Sequence, residues 1–256
     1  MNILLIGDVV GKVGRRAITS LIPEIRRKHD LDIVIANGEN AAGGKGLTPS
    51  TADEIFEAGV EIITSGNHIW QYNEIYPYLD SEAPVLRPLN YPQGAPGRGV
   101  LCQNGVAVIN LMGRTFMPGA LDCPYRAADN ALANVDDCGI VIVDMHAEAT
   151  SEKAAMAWYL NGRVSAVIGS HTHIPTADAR VLPKGTAFVT DVGMVGSRDS
   201  ILGVATQSVI DGFLTQLPTR FTTDEHGPVV FNSVLIQVDE ASGRATGIQR
   251  IDREIA

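Results

Sequence analysis

Cysteine is scarce in this chain: Cys102, Cys123 and Cys138 are the only three in 256 residues. They are too few and too scattered for a disulfide framework or a CxxC metal site, so the sequence predicts free thiols in a reducing compartment. Long apolar runs are also missing. No stretch approaches the ~18 residues needed to span a bilayer. The apolar opening from Met1 to Asp8 has no basic region before it and no small-residue cleavage site, so it reads as a first strand and not as a signal peptide. The expected location is the cytoplasm, with no membrane partner. Positive charge is in deficit: 20 Lys and Arg against 29 Asp and Glu leave a formal charge of −9. Long nucleic acid is therefore not an expected partner, because a nonspecific grip on it needs a basic face. A small phosphorylated substrate remains compatible if bound cations supply positive charge locally. Without internal repeats, low-complexity segments or a convincing linker, residues 1–256 are expected to form a single domain.

What is present is an alternation of short apolar, β-branched runs with helical patterns, the signature of βαβ units around a buried, largely parallel sheet. The runs are Ile3–Ile6, Asp32–Ala36, Val60–Thr64, Val106–Asn110, Ile140–Val143 and Val164–Ile168. Helices are predicted over 14–29, 49–58, 70–79, 125–135 and 151–160. Thr48-Pro49-Ser50 marks the start of the second, and Thr150-Ser151-Glu152 offers a similar cue for the last. Beyond residue 178 the texture shifts to strands joined by turns: Ala179–Leu182, Ala187–Thr190, Val229–Val238 and Ala245–Ile251. Pattern alone predicts one parallel sheet with an antiparallel β appendage. Residues 87–99, with Pro88, Pro92 and Pro96, read as a loop and a candidate substrate-side lid.

The informative residues are those at the carboxyl end of each run. The first run leads into Gly7-Asp8, the second into Asn37-Gly-Glu39-Asn40, and the third into Gly66-Asn67-His68. The fifth leads to Asp144-Met-His146 and the sixth to Gly169-Ser-His171-Thr-His173. Open α/β sheets bind ligands beyond the carboxyl ends of their strands. Each group alone has an ordinary reading, since an Asp after a strand is usually a turn former and a lone His is often a satisfied core residue. Together they are harder to dismiss. Four of the six histidines fall at strand ends, while His29 and His226 lie in polar surroundings and read as solvated. His171 and His173 are two apart and in an extended segment would point the same way.

Asp8, Glu39, Asn40, Asn67, His146, His171 and His173 supply only oxygen and nitrogen, which suits manganese, iron, cobalt or zinc but not a structural zinc site. Seven donors are too many for one ion. Two ions about 3.5–4 Å apart, bridged by a carboxylate, would use them all. By contrast, Gly7-Asp-Val-Val-Gly11-Lys-Val-Gly14 lacks the GxG start of a dinucleotide fold and the spacing of a P-loop. Arg15-Arg16 reads as a solvated face and Gly43–Gly46 as a rim beside the metals, while Arg114, Arg126 and Lys153 are candidate phosphate contacts.

The order Gly-Asp, Gly-Asn-His, His and Gly-x-His-x-His resembles the metallophosphoesterase (calcineurin-like) superfamily. Gly38-Glu-Asn40, His146-Ala-Glu-Ala-Thr-Ser-Glu-Lys153, Gly169-Ser-His-Thr-His-Ile-Pro-Thr176 and Asp191-Val-Gly-Met194 resemble its YmdB-like bacterial branch over nearly the whole chain. The resemblance implies an α/β fold of two packed mixed sheets flanked by helices, a four-layer α/β/β/α sandwich. It assigns one ion to Asp8, Glu39, Asn40 and His173, and the other to Glu39, Asn67, His146 and His171, with Glu39 bridging. The superfamily's Asp-x-His is here Asp8-Val-Val10, and Asn40 is expected in the vacated ligand position. Its Gly-Asn-His-acidic motif is Gly66-Asn-His68-Ile69, which leaves open how His68 is oriented. His68 is expected to be catalytic, donating a proton to the leaving oxygen or binding phosphate.

The activity implied is hydrolysis of phosphate diesters, 2′,3′- and 3′,5′-cyclic nucleotides, by a hydroxide shared between two ions, with iron or manganese expected before zinc or cobalt. The rivals are a phosphomonoesterase or nuclease of the same superfamily, and a regulatory nucleotide-binding protein with little turnover. Retention of His68 favours catalysis, because a binder needs no proton donor. A homo-oligomer is a family-level expectation.

Overall fold

The computed structural model describes residues 1–135 and 138–256. Its strands and helices run β1 (Asn2–Val9), α1 (Gly11–His29), β2 (Ile33–Asn37), α2 (Pro49–Glu57), β3 (Ile62–Thr64), α3 (Ile75–Leu79), β4 (Val100–Gln103), β5 (Val106–Met112), α4 (Pro124–Leu132), β6 (Ile140–His146), α5 (Thr150–Leu160), β7 (Ala166–Ser170), β8 (Arg180–Val181), β9 (Ala187–Val189), β10 (Met194–Ser197), α6 (Thr206–Thr215), β11 (Val229–Phe231), β12 (Ser233–Asp239), β13 (Arg244–Arg250) and β14 (Arg253–Ile255). A short 3₁₀ turn covers Ile69–Gln71.

The strands form two mixed sheets. In the first, β1 pairs in parallel with β2, which pairs with β3, and antiparallel with β12, which continues to β13. At Asp8 and Val9 its other edge passes from β12 to β10, which leads on to β11 and β14. The second sheet has the order β4-β5-β6-β7-β9-β8, parallel in its centre and closed by antiparallel edges.

Alternate residues along a strand point to opposite faces, and here both faces are covered. Ile3, Leu5, Ile33, Ile35 and Ile62 of the first sheet meet Val106, Val108, Ile140, Ile142 and Ile168 of the second. Leu4, Ile6, Val34 and Ile63 point the other way, against Ala17, Ile18, Ile22, Ile25, Ala52 and Ile55 of α1 and α2. Ile109, Val143 and Val167 likewise pack on Ala128, Met156, Ala157 and Leu160 of α4 and α5. The result is the four-layer α/β/β/α arrangement. The single-sheet reading fails because a strand buried on both faces has the same apolar run whether a helix or a second sheet covers it. The supposed appendage instead completes both sheets, with Val229–Val238 broken at Asn232 into β11 and β12.

Other departures are local. The predicted helix over 70–79 is the 3₁₀ turn followed by α3. Thr48 and Thr51 form a capping box at α2 as expected, whereas α5 starts at Thr150 after an uncapped Ala149. β4, β10, β14 and α6 have no counterpart in the pattern reading: the strands are only three or four residues long, and α6 buries Val209 alone. Residues 87–99 form the expected loop, anchored near its start. Asn90 donates to the Met112 and Asp122 carbonyls, and Arg87 donates to the carbonyls of Pro88 and Leu89. Cys102 and Cys138 lie side by side, with Cα atoms 6.5 Å apart, and Cys123 stands away from both as a free thiol. The β4–β5 hairpin folds Cys102 back toward the start of β6, a proximity hidden by 36 residues of sequence. Among the described residues no helix is long and apolar enough to cross a membrane.

Candidate metal centre

The carboxyl ends of β1, β2 and β3 in one sheet and of β6 and β7 in the other open onto the same place. Asp8 is fixed by strand pairing to Met194 and Asn37. Past the end of β2, the Asn37 side chain accepts from the Glu39 amide at 3.0 Å, turning the chain so that Glu39 and Asn40 are buried. β3 ends at Thr64 and leads to Gly66, where a Cβ would collide with the His146 ring. Only glycine lets Asn67 and His68 approach the end of β6 so closely. His171 and His173 follow β7 with φ of +102° and +64°. Such left-handed backbone in residues other than glycine costs of order 1–3 kcal/mol each and persists where surrounding contacts enforce it.

All seven expected ligands and His68 are brought together, in two adjoining groups. In one, His146 Nε2 lies 3.1 Å from Glu39 Oε1, 3.2 Å from Asn67 Oδ1 and 3.0 Å from His171 Nδ1. Donor atoms of Glu39, His146 and His171 all lie within 4.8 Å of one another. In the other, Asn40 Nδ2 is 3.1 Å from His173 Nε2 and 3.4 Å from Asp8 Oδ1, and Asp8 Oδ1 is 3.8 Å from His173 Nε2. Glu39 and His68 lie between them. His68 donates its amide to Glu39 Oε2 at 2.9 Å, and its Nδ1 is 2.8 Å from Asn40 Oδ1. Glu39 and Asn40 thus orient His68 in place of the missing acidic neighbour.

The outward nitrogens of the three candidate histidine ligands are all engaged. His146 Nδ1 meets Ser170 Oγ at 3.1 Å, and Ser170 donates to Asp144 Oδ1 at 2.6 Å. His171 Nε2 faces Glu148 Oε2 at 3.1 Å, and His173 Nδ1 donates to the Leu202 carbonyl at 2.9 Å. A carboxylate, hydroxyl or carbonyl behind each imidazole is how metal-ligating histidines are held. These side chains therefore fit divalent or transition ions. The sequence reading missed Asp144, Ser170, Glu148 and Leu202 as supports. Asp144 carried a signal, being two residues before His146 and on the same strand face; Leu202 acts through its backbone and carried none.

Electrostatics agree with a shared buried charge cluster. Burial pushes the Asp8 carboxyl up to about 6, against the pull of His173 and His146. Burial also opposes charge on Glu39 and His146. Their mutual attraction outweighs it, holding Glu39 down to about 2 and raising His146 to about 9. His171, buried beside His146, falls to about 3. Burial lowers His68 as well, despite Glu39.

Two of the three candidate phosphate contacts, Lys153 and Arg126, lie apart from this group. Lys153 is fully buried on Asp191, its Nζ 2.7 Å from Oδ2, so it cannot reach a substrate. Arg126 lines a separate cavity of about 610 Å³ with Arg87, Asn90 and Asp122. The Arg114 amide donates to Glu152. Arg15 is tied to Glu54 and to the Ala41 carbonyl, while the rim residues Gly43 and Lys45 are exposed beside the Glu39-Asn40 turn. His226 is exposed as expected, but His29 is half-buried at the end of α1.

Known proteins are similar to this chain in sequence and in architecture. A family described as YmdB-like protein matches residues 4–251. The chain is 46% identical to a Bacillus subtilis protein named 2′,3′-cyclic-nucleotide 2′-phosphodiesterase, over 98% of this chain and 96% of that one. A crystal structure of a hypothetical protein from Thermus thermophilus superposes with a TM-score of 0.93 at 45% identity and 99% coverage of both chains. A Mycoplasma pneumoniae structure described as a novel phosphatase also gives 0.93, at 32% identity, covering 99% of this chain and 93% of the other.

Proposed function

The chain belongs to the YmdB-like family, and from that membership we propose that it is a cytoplasmic, single-domain phosphodiesterase that hydrolyses 2′,3′-cyclic nucleotides, and 3′,5′-cyclic nucleotides in the same site, with two metal ions. The observation that carries this reading is the convergence of seven oxygen and nitrogen donors on one place, each candidate histidine ligand braced from behind. Asp8, Glu39, Asn40 and His173 would hold one ion, and Glu39, Asn67, His146 and His171 the other. Such ions would supply positive charge to phosphate oxygens and would lower the pKa of a bound water toward about 7.

Asn40 and His68 couple ligand geometry to proton transfer. An amide's oxygen and nitrogen have nearly the same shape. Rotating the Asn40 amide by half a turn places Oδ1 beside Asp8 and His173 and aims Nδ2 at His68 Nδ1. His68 then accepts at Nδ1 and keeps its proton on Nε2, where it can meet the leaving oxygen or a phosphate oxygen. An anionic phosphate seated beside it opposes the downward pull of burial on its pKa.

The test is a substrate comparison on the manganese- or iron-loaded protein. Cyclic AMP isomers should be opened faster than 2′-, 3′- or 5′-AMP releases phosphate, with 2′,3′-cyclic AMP the better diester. Phosphate release from monoesters with the cyclic isomers left intact would place the protein with the phosphomonoesterases. Tight nucleotide binding without turnover would favour the regulatory reading.

A further inference from the structure

Behind the histidine turn lies a buried carboxylate with no part in the ligand set. Asp191, in the turn from β9 to β10, and Lys153, on α5, are both 0% exposed. Asp191 Oδ2 accepts from Lys153 Nζ at 2.7 Å, from the Thr172 amide at 3.1 Å and from the Thr172 hydroxyl at 2.8 Å. Its Oδ1 accepts from the Gly193 amide at 2.8 Å. Four donors fill the carboxylate's usual capacity.

The positions of those donors matter more than their number. Thr172 is the residue between His171 and His173, the two with left-handed backbone. Gly193, on the other side, uses its carbonyl to accept the Asp8 amide at 3.0 Å. The His171 amide in turn donates to Asp8 Oδ2 at 3.2 Å. One side chain thus joins the end of β7 in one sheet to Asp8 of β1 in the other. The Val192 amide closes the same corner on the Gly169 carbonyl at 3.0 Å. Gly169 is needed there, because a Cβ would collide with the Thr190 carbonyl.

Resting on the metal-centre reading above, we propose that Asp191, held by Lys153, is a positioning residue that locks the His171-Thr172-His173 turn against Asp8 and so keeps the two ligand groups in register. Lys153 balances the buried charge, which lets Asp191 stay an acceptor for all its donors. An ion pair that merely filled the interior could be exchanged for apolar side chains with little consequence. This one has its remaining bonds on the turn that presents two ligands.

The experiment uses Asp191→Asn and Thr172→Val, with manganese affinity by calorimetry, thermal melting, and hydrogen exchange at the Thr172 amide in metal-free protein. In folded Asp191→Asn, affinity should fall roughly 10–100-fold, as for other groups that orient ligands, and Thr172 exchange should quicken. Thr172→Val removes only the hydroxyl bond and should lose several-fold in affinity at an unchanged melting temperature. If Asp191→Asn does not fold, Thr172→Val decides. Wild-type affinity and wild-type Thr172 exchange, with only the melting temperature lowered, would reduce the pair to a structural role and overturn the proposal. Wild-type protein that takes up no manganese would count against the metal centre itself. In that case quickened Thr172 exchange in Asp191→Asn still upholds the positioning of the turn, and unchanged exchange overturns it.

Discussion

His68 is the residue whose role depends most on what its ring meets. It adjoins the candidate ligand Asn67, yet its Nδ1 is taken up by Asn40, with Glu39 3.5 Å away. On our account His68→Ala keeps near-full metal content and loses about 10²–10⁴-fold in kcat on a cyclic nucleotide, with a smaller effect on KM. With a p-nitrophenyl ester, whose leaving group needs little protonation, the loss should shrink. Equal losses on both substrates would assign His68 to phosphate binding, and loss of metal would make it a ligand. At this scale the candidate ligands could be picked out because Asp, Glu, Asn and His are uncommon company for the ends of apolar strands. Their supports were less so: Ser170 and Glu148 are ordinary residues whose meaning appears only when an imidazole nitrogen is found behind them. Lys153 was misread because a charged side chain is rarely buried unless a partner from another element waits for it.

At the scale of elements, the parallel strands were readable from their apolar runs, but not the layer each run faced, since sheet and helix cover a strand with similar side chains. Short edge strands such as β4 and β14 lie below the length at which alternation can be seen. The segment after the histidine turn shows how such joints are held. Asp178 accepts from the Thr190 amide at 3.1 Å, from its hydroxyl at 2.6 Å and from Thr176 Oγ1 at 2.7 Å, tying that segment to the end of β9. Although burial opposes it, these hydrogen bonds hold the Asp178 carboxyl below its ordinary 3.8. A carboxyl lowered on folding contributes stability that is present above 3.8 and lost as pH falls through the folded value. Asp178→Asn should therefore cost about 1 kcal/mol at neutral pH, allowing for solvent screening. The gap from wild type should close as pH drops below about 3.8. Melting curves of both proteins from pH 7 to pH 3 check this, and a gap that does not change with pH would contradict it.

For the whole molecule, the sandwich brings the strand ends of two sheets to a single rim, so that Asp8, Glu39, Asn40 and Asn67 come from one sheet and His146, His171 and His173 from the other. The formal charge of −9 suits this division of labour: positive charge for a phosphate substrate would come from ions held at that rim and not from a basic surface. Counting those ions tests the account most directly. Protein purified with added manganese or iron and freed of loose metal should carry close to two equivalents per chain by elemental analysis. Glu39→Gln, which removes the one carboxylate shared by both groups, should weaken retention of both together. A stable value of one or none in the wild-type protein, or a Glu39→Gln variant that keeps two, would contradict a centre built from both sheets around a bridging Glu39.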